Sequence, residues 1–144
     1  LVGSEMCIRD RVKPNTEELG EVLGLAVHSA AEQRAAAQRL LATGVEHVVV
    51  SAGEQGVSWF APGHALHARP PKVRVASTVG AGDSLVAGMV HGLLLAEAPA
   101  QTLRRATAIA AQAVTQVGFG IRDREQLARF EAAVHLAEQQ EGCR

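Results

Sequence analysis

Aromatic side chains make up only 3% of the 144 residues, with one tryptophan, three phenylalanines and no tyrosine. So few rings leave little on which bases could stack, which argues against a single-strand nucleic-acid binder. Lysine is nearly missing: only Lys13 and Lys72 occur, and neither follows a glycine. That excludes the Gly-Lys-Ser/Thr core of a Walker phosphate loop, and the His-Arg-Asp loop of protein kinases is absent as well. Cys7 and Cys143 stand near opposite ends and make no metal or disulfide framework, so a reducing cytoplasm is the expected compartment. No apolar run is long enough for a membrane: Leu85 to Ala96 is interrupted by His91 and too short to span a bilayer. A net charge of −1 gives no bulk attraction to nucleic acid or anionic lipid. The six histidines (His28, His47, His64, His67, His91 and His135) share no ligand spacing, and His64 and His67 fall on opposite sides of a strand, so none is assigned to a metal. There is no internal repeat, low-complexity tract or second domain.

With 47% hydrophobic residues, the chain has enough apolar material for one domain with a real core. It turns on Ser77-Thr78-Val79-Gly80-Ala81-Gly82-Asp83-Ser84. Val73-Arg74-Val75 before it reads as a short strand, and the apolar run after it reads as a buried helix to about Glu97. Small residues at a helix start leave backbone N–H groups unshielded at the positive end of the helix dipole, which suits an anion such as phosphate. Asp83 would repel that anion unless a base is needed beside it to take a proton from an attacking hydroxyl. The plainer reading is a helix N-terminus with turn glycines and an Asp in its first turn.

Earlier in the chain, Asn15 is a candidate N-cap with Glu18 at the capping-box position, and Pro14 favours an extended residue before it. A short helix is expected from Leu19 to Leu25, with Gly24 near its end. A second, from about Ala30 to Thr43, stops at Gly44. Val45 to Ser51 then predicts a strand, with Val48-Val49-Val50 buried on both faces. Helix, glycine and buried strand together signal an α/β crossover. Ser51-Ala52-Gly53-Glu54-Gln55-Gly56 is either a simple turn or a ligand loop. Val57–Phe60 and His64–Ala68 form a predicted hairpin around Pro62-Gly63, with Trp59 and Phe60 as packing residues. Arg69, Lys72 and Arg74 beside Pro70-Pro71 read as a solvated connection. Gly88 and Gly92 lie four apart and permit close helix packing. Pro99 opens another helix, with Leu103, Ala106, Ile109, Ala110, Ala113, Val114 and Val117 as its apolar stripe, broken at Gly118-Phe119-Gly120. A last amphipathic helix begins near Asp123 or Arg124.

Thr78-x-Gly80-Ala81-Gly82-Asp83 resembles the signature of the PfkB (ribokinase-like) sugar kinases, and Ser77 before it is closer to the branch acting on phosphofructose and tagatose 6-phosphate. The resemblance covers about Lys13 to Leu127. It implies an α/β, ribokinase-like (Rossmann-like) three-layer fold, of which this chain carries the C-terminal portion. By the same resemblance, Asp83 is the catalytic base, and Gly80, Ala81 and Gly82 form the anion hole. Ser51, Ala52, Gly53, Glu54, Gln55 and Gly56 contact ATP, joined by Gly82, Lys13 and Asn15. Pro14-Asn15-x-x-Glu18 resembles the family's Asn-x-x-Glu motif, with Asn15 and Glu18 acting on Mg2+ through water. ATP and Mg2+ are the implied cofactors. The implied reaction is phosphoryl transfer to a phosphosugar, with fructose 1-phosphate going to fructose 1,6-bisphosphate as first choice. Fructose 6-phosphate and tagatose 6-phosphate follow. The tail from Ile121 to Ala128 resembles members that use fructose 1-phosphate. Partners are then the phosphosugar and ATP, with no nucleic acid and no membrane; a homodimer of the intact enzyme is left open.

Residues 1–11 resemble the translation of a sequencing adapter and are read as a non-native leader, with 12–144 as the kinase-derived part. No counterpart of the family's sugar-binding strands and lid is found, so an exposed sheet edge and apolar surface are expected, and the chain by itself is expected to be inactive. Two other readings stay open: a non-enzymatic sugar- or nucleotide-binding regulator on the same fold, and a helical interaction module. The intact anion loop with Asp83 disfavours the first. The Val48-Val49-Val50 strand disfavours the second.

Overall fold

The computed structural model describes residues 11–118 and 120–139. The leader apart from Arg11, both cysteines and Phe119 lie outside the described residues. In chain order the elements are β1 (Arg11–Val12), α1 (Thr16–Leu23), α2 (Ala30–Leu41), β2 (His47–Ser51), a 3-10 turn (Gly53–Gln55), β3 (Val57–Ala61), β4 (His64–Arg69), α3 (Ala81–Leu94), α4 (Pro99–Ala113), α5 (Arg124–Ala133) and β5 (His135–Glu138). The strands follow one another in the sheet in the order β1-β2-β3-β4-β5. The chain divides into two compact units. One comprises the described parts of segments 1–52, 58–66 and 138–144, the other segments 53–57 and 67–137.

In the first unit, β1 and β2 run parallel, with Arg11 opposite His47 and Val12 opposite Val48. Parallel neighbours need a crossover, and α1 and α2 provide it. Arg11, grouped with the leader in the sequence reading, is thus the first residue of a sheet strand. Leu19, Val27, Ala36, Ala37, Val48, Val50 and Phe60 form the core between helices and sheet. Val48, Val49 and Val50 are all buried, as a strand covered on both faces requires, which rules out the all-helical reading. Trp59 is 1% exposed and serves packing: its indole N–H donates to His47 Nδ1 at 3.2 Å, and His64 meets its ring edge-on at 4.8 Å. Burial holds the His64 imidazole below the usual histidine range.

Both helices here are closed by reciprocal caps. Asn15 and Glu18 form the expected box on α1, and Gly24 ends that helix at φ 62°. Ser29 and Glu32 form a second box on α2, a Ser-x-x-Glu signal that the sequence reading passed over. The carboxylate of Glu32 accepts from the N–H groups of His28 and Ser29, and these bonds lower its pKa.

In the second unit, α3 and α4 approach closely because α3 carries glycine where they meet. A Cβ at Gly88 would lie 2.6 Å from Ala106 Cα, and one at Gly92 would lie 2.5 Å from the Thr102 side chain. The pairing expected from the four-residue spacing is therefore present, although α3 ends at Leu94 rather than near Glu97. The apolar stripe of α4 is only partly as read. Leu103 and Ala106 are buried, but Thr102, Thr107, Ala108, Ala111 and Gln112 share the burial, and Val117 is 75% exposed. The helix stops at Ala113, so the period that placed Val117 on the buried face no longer applies there. Buried Gln112 donates to the Asp123 carbonyl at 2.6 Å and to Gln126 Oε1 at 3.1 Å, which ties the start of α5 to α4. Asp123 caps α5 as expected.

Two corrections concern strands. Val73-Arg74-Val75 is not a strand. The N–H groups that follow it, at Ala76 and Ser77, both go to the Val114 carbonyl instead of a ladder. Conversely, β5 was not anticipated, since the sequence after α5 gave no signal beyond a continuing helix. No helix among the described residues is long and apolar enough to cross a membrane.

Candidate active site

The second unit holds the glycine loop. Ala76 and Ser77 anchor its entrance to Val114 through bonds of 2.7 and 3.2 Å, and the Ser77 hydroxyl accepts from the Val79 N–H at 3.2 Å. Gly80 then adopts φ 79°, ψ 1°, a left-handed conformation that residues with a Cβ rarely enter, and α3 begins at Ala81. No side chain caps this helix. The Ala81 N–H turns back to the Thr78 carbonyl at 3.3 Å, and the Ser84 N–H makes the first intrahelical bond, to Gly80 at 2.9 Å. The amides of Gly82 and Asp83 are left as the donors of an uncapped first turn, at the positive end of the helix dipole. Asp83 is exposed, and no hydrogen bond or ion pair engages its carboxylate among the described residues. Open donors and a proton acceptor therefore share one helical turn.

The same unit contains the later part of the second glycine loop. Gly53 to Gln55 form a single 3-10 turn closed by the Gly56 N–H donating to the Gly53 carbonyl at 3.1 Å. Gly53 and Gly56 have φ of 55° and 114°, and a Cβ at Gly56 would run into the Ala68 carbonyl oxygen. Glu54 and Gln55 are exposed. His67, which sequence reasoning left unassigned, bonds to the backbone of Gln55. Burial pushes its imidazole below the usual range, that bond opposes the shift, and the Arg69 charge adds to it. The signal for His67 lay in the hairpin: a strand returning from Pro62-Gly63 must pass beside the loop that precedes its partner.

In the first unit, Asn15 and Ser51 are brought together. They form an isolated parallel bridge that continues the β1–β2 pairing, and the Ser51 N–H donates to the Pro14 carbonyl at 3.2 Å. Lys13 lies between β1 and this bridge. Asn15 Oδ1 accepts from the Glu18 N–H and Glu18 Oε2 from the Asn15 N–H, both at 2.8 Å. The single side-chain oxygen of Asn15 is thus committed to the cap, whereas Glu18 keeps Oε1, which leaves room on Glu18 for an indirect contact with a cation through water. Among the described residues no three His, Cys, Asp or Glu side chains gather as a metal-ligand set. The uncapped turn at Gly82 and Asp83 fits a phosphate group.

The sequence pattern of the pfkB family carbohydrate kinases matches residues 8–125. The chain is similar to 1-phosphofructokinase from Escherichia coli (strain K12), 46% identical over 125 residues, covering 87% of this chain and 40% of that protein. It is 43% identical over 126 residues to 1-phosphofructokinase from Vibrio cholerae, covering 88% and 40%. The chain thus spans about 40% of the length of these curated relatives. Among solved structures it resembles phosphofructokinase-2 from Escherichia coli in complex with substrates and products (TM-score 0.78, 30% identity, 86% of this chain, 40% of that one). It also resembles Arabidopsis thaliana ribokinase complexed with ribose and ATP (TM-score 0.77, 25% identity, 85% and 40%).

Proposed function

Because the chain belongs to the pfkB family of carbohydrate kinases and has a ribokinase-like α/β fold, we propose that it carries the phosphoryl-transfer portion of an ATP-dependent phosphosugar kinase. The observation that carries the reading is the uncapped first turn of α3, with Asp83 inside it. MgATP, when bound, supplies the phosphoryl group. Asp83 accepts the proton of the acceptor hydroxyl as that hydroxyl's oxygen bonds to the γ-phosphorus and the bond from this phosphorus to the bridging oxygen of the departing ADP breaks; Asp83 later releases the proton to solvent. The open Gly82 and Asp83 amides meet the charge that moves onto the phosphoryl oxygens, while Gly80 and Ala81, whose N–H is held by Thr78, shape the turn that presents them. Ser51, Ala52 and the turn Gly53–Gly56 position the nucleotide. Lys13, Asn15 and Glu18 act at its phosphate side, the last two on Mg2+ through water.

Fructose 1-phosphate, converted to fructose 1,6-bisphosphate, is the favoured substrate, since the 43% and 46% identical relatives are 1-phosphofructokinases. The lower, 30% identity to phosphofructokinase-2 supports fructose 6-phosphate as second choice. The test is a coupled ATP-consumption assay on the full-length protein that carries this sequence, with fructose 1-phosphate, fructose 6-phosphate and tagatose 6-phosphate in parallel. The highest kcat/KM is expected for fructose 1-phosphate. Sugar and nucleotide binding without any turnover would replace this reading with that of a regulator.

A further inference from the structure

The 3-10 turn Gly53–Gln55 has little in its own sequence to hold it. Gly53, Glu54 and Gln55 are all exposed, so the turn is not fixed by a core of its own. The bond that closes it, from the Gly56 N–H, takes up the Gly53 carbonyl. The Gln55 carbonyl stands at the C-terminal end, where so short a helix has no donor to offer. That donor comes from β4. The His67 imidazole bonds to the Gln55 backbone, and the bond favours the charged ring, so the ring N–H donates and the carbonyl accepts. The same ring lies over Gly56, which is buried: a Cβ there would stand 3.1 Å from His67 Cε1 and would run into the carbonyl oxygen of Ala68. Two successive residues of β4 thus hold the turn, one through its side chain and one through its backbone. A larger residue than glycine at position 56 would lift the turn away from His67.

We propose that His67 is a positioning residue for the nucleotide: by fixing the Gln55 carbonyl, it sets the shape in which residues 53–56 receive ATP. The proposal rests on the reading of this turn as part of the nucleotide loop. Burial, with the Arg69 charge adding to it, outweighs the Gln55 bond and holds the imidazole below the usual histidine range. Near neutral pH the ring is therefore an uncharged donor, and it orients the turn without placing a fixed charge beside it. Its influence falls on nucleotide binding, because the proton acceptor Asp83 belongs to a different element, α3. Two substitutions separate the bond from the bulk of the ring. Phenylalanine fills the space of the imidazole and has no donor, whereas glutamine gives up the ring and keeps an N–H.

The test compares His67→Phe and His67→Gln with the unmodified full-length protein, by steady-state kinetics and by amide hydrogen exchange over residues 53–56. His67→Phe should raise KM for ATP about three- to tenfold, the range that loss of one hydrogen bond gives. The kcat at saturating ATP and the KM for the sugar should stay within about twofold, and exchange at the Gly56 amide should quicken. His67→Gln should return both KM for ATP and exchange towards the unmodified values. Three results would overturn the proposal: unchanged KM for ATP in His67→Phe, a matching loss in kcat and in sugar KM, or no rescue by His67→Gln, which would make ring packing the cause. An unmodified protein with no affinity for ATP would overturn the nucleotide reading itself. Faster exchange in His67→Phe would then still report the hold of His67 on the turn, so the two failures are told apart.

Discussion

The N-termini of α1 and α3 are built on opposite plans. At α1, Asn15 and Glu18 each accept the other's backbone N–H, so two orphan donors are satisfied within the chain. At α3 the N-cap is Gly80, which has no side chain to offer, and the Gly82 and Asp83 donors of the first turn stay open. The capped end holds its helix by local bonds. The open end is held from behind, where Gly88 and Gly92 let α3 sink against α4. A helix whose first turn is left uncapped must draw its stability from packing, and α3 does. α4 uses a third arrangement: it has no side-chain cap either, but Pro99 opens it and brings no N–H that needs a partner.

Four substitutions break or sharpen this contrast, in order of falling effect. Gly80→Val places a β-branched residue at φ 79°, a strain of about 1–3 kcal/mol. It should both lower the melting temperature and raise KM for ATP in the full-length protein, as read by calorimetry and steady-state kinetics. Gly88→Val would press methyl groups onto the backbone of Ala106, where no flexible side chain can yield. About 1–3 kcal/mol of stability should be lost in a denaturant titration. Asn15→Ala removes the α1 cap at about 1 kcal/mol, with amide exchange quickening in Thr16 to Leu19 and α3 unaffected.

The smallest effect is a dependence on acidity at α2. Bonds from His28 and Ser29 depress the Glu32 carboxyl in the folded chain. The stability this gives is therefore complete above the ordinary carboxylate pKa and is lost as the pH falls through the depressed value. Amide exchange at the start of α2 should rise in that acidic window, and Glu32→Gln should abolish the rise. The first turn of α3, with no cap to protonate, should not follow it.

Much of this architecture was legible in the sequence because its signals are local. The Asn15–Glu18 box, Gly24, the Val48–Val50 run, the Pro62-Gly63 hairpin, Pro99 and the Asp123 cap each depend on a few adjacent residues. The glycine pair Gly88 and Gly92 was legible too, since a four-residue spacing reports one helix face. What failed depended on distant partners. Val73 to Val75 have strand-forming side chains, but the chain beyond them is held by Val114 at the end of α4. His135 to Glu138 lack a strand composition, yet form β5 next to β4 in the sheet order. In α4, Thr102, Thr107 and Gln112 are buried although polar, and apolarity alone does not mark such positions. For the candidate site, the Gly80–Asp83 string announced a turn entering a helix, and α3 begins there at Ala81. The link from His67 to the Gly53–Gly56 turn required the hairpin register.

The most direct measurement of the central claim is kcat for Asp83→Asn in the full-length protein, with ATP and fructose 1-phosphate. Asparagine keeps the size and polarity of the side chain but takes up no proton. A fall of about 10²–10⁴-fold in kcat, with KM for ATP little changed, is the predicted result. A rate close to that of the unmodified protein would take the base role away from Asp83, and with it the proposed reason for a carboxylate in an open, uncapped turn.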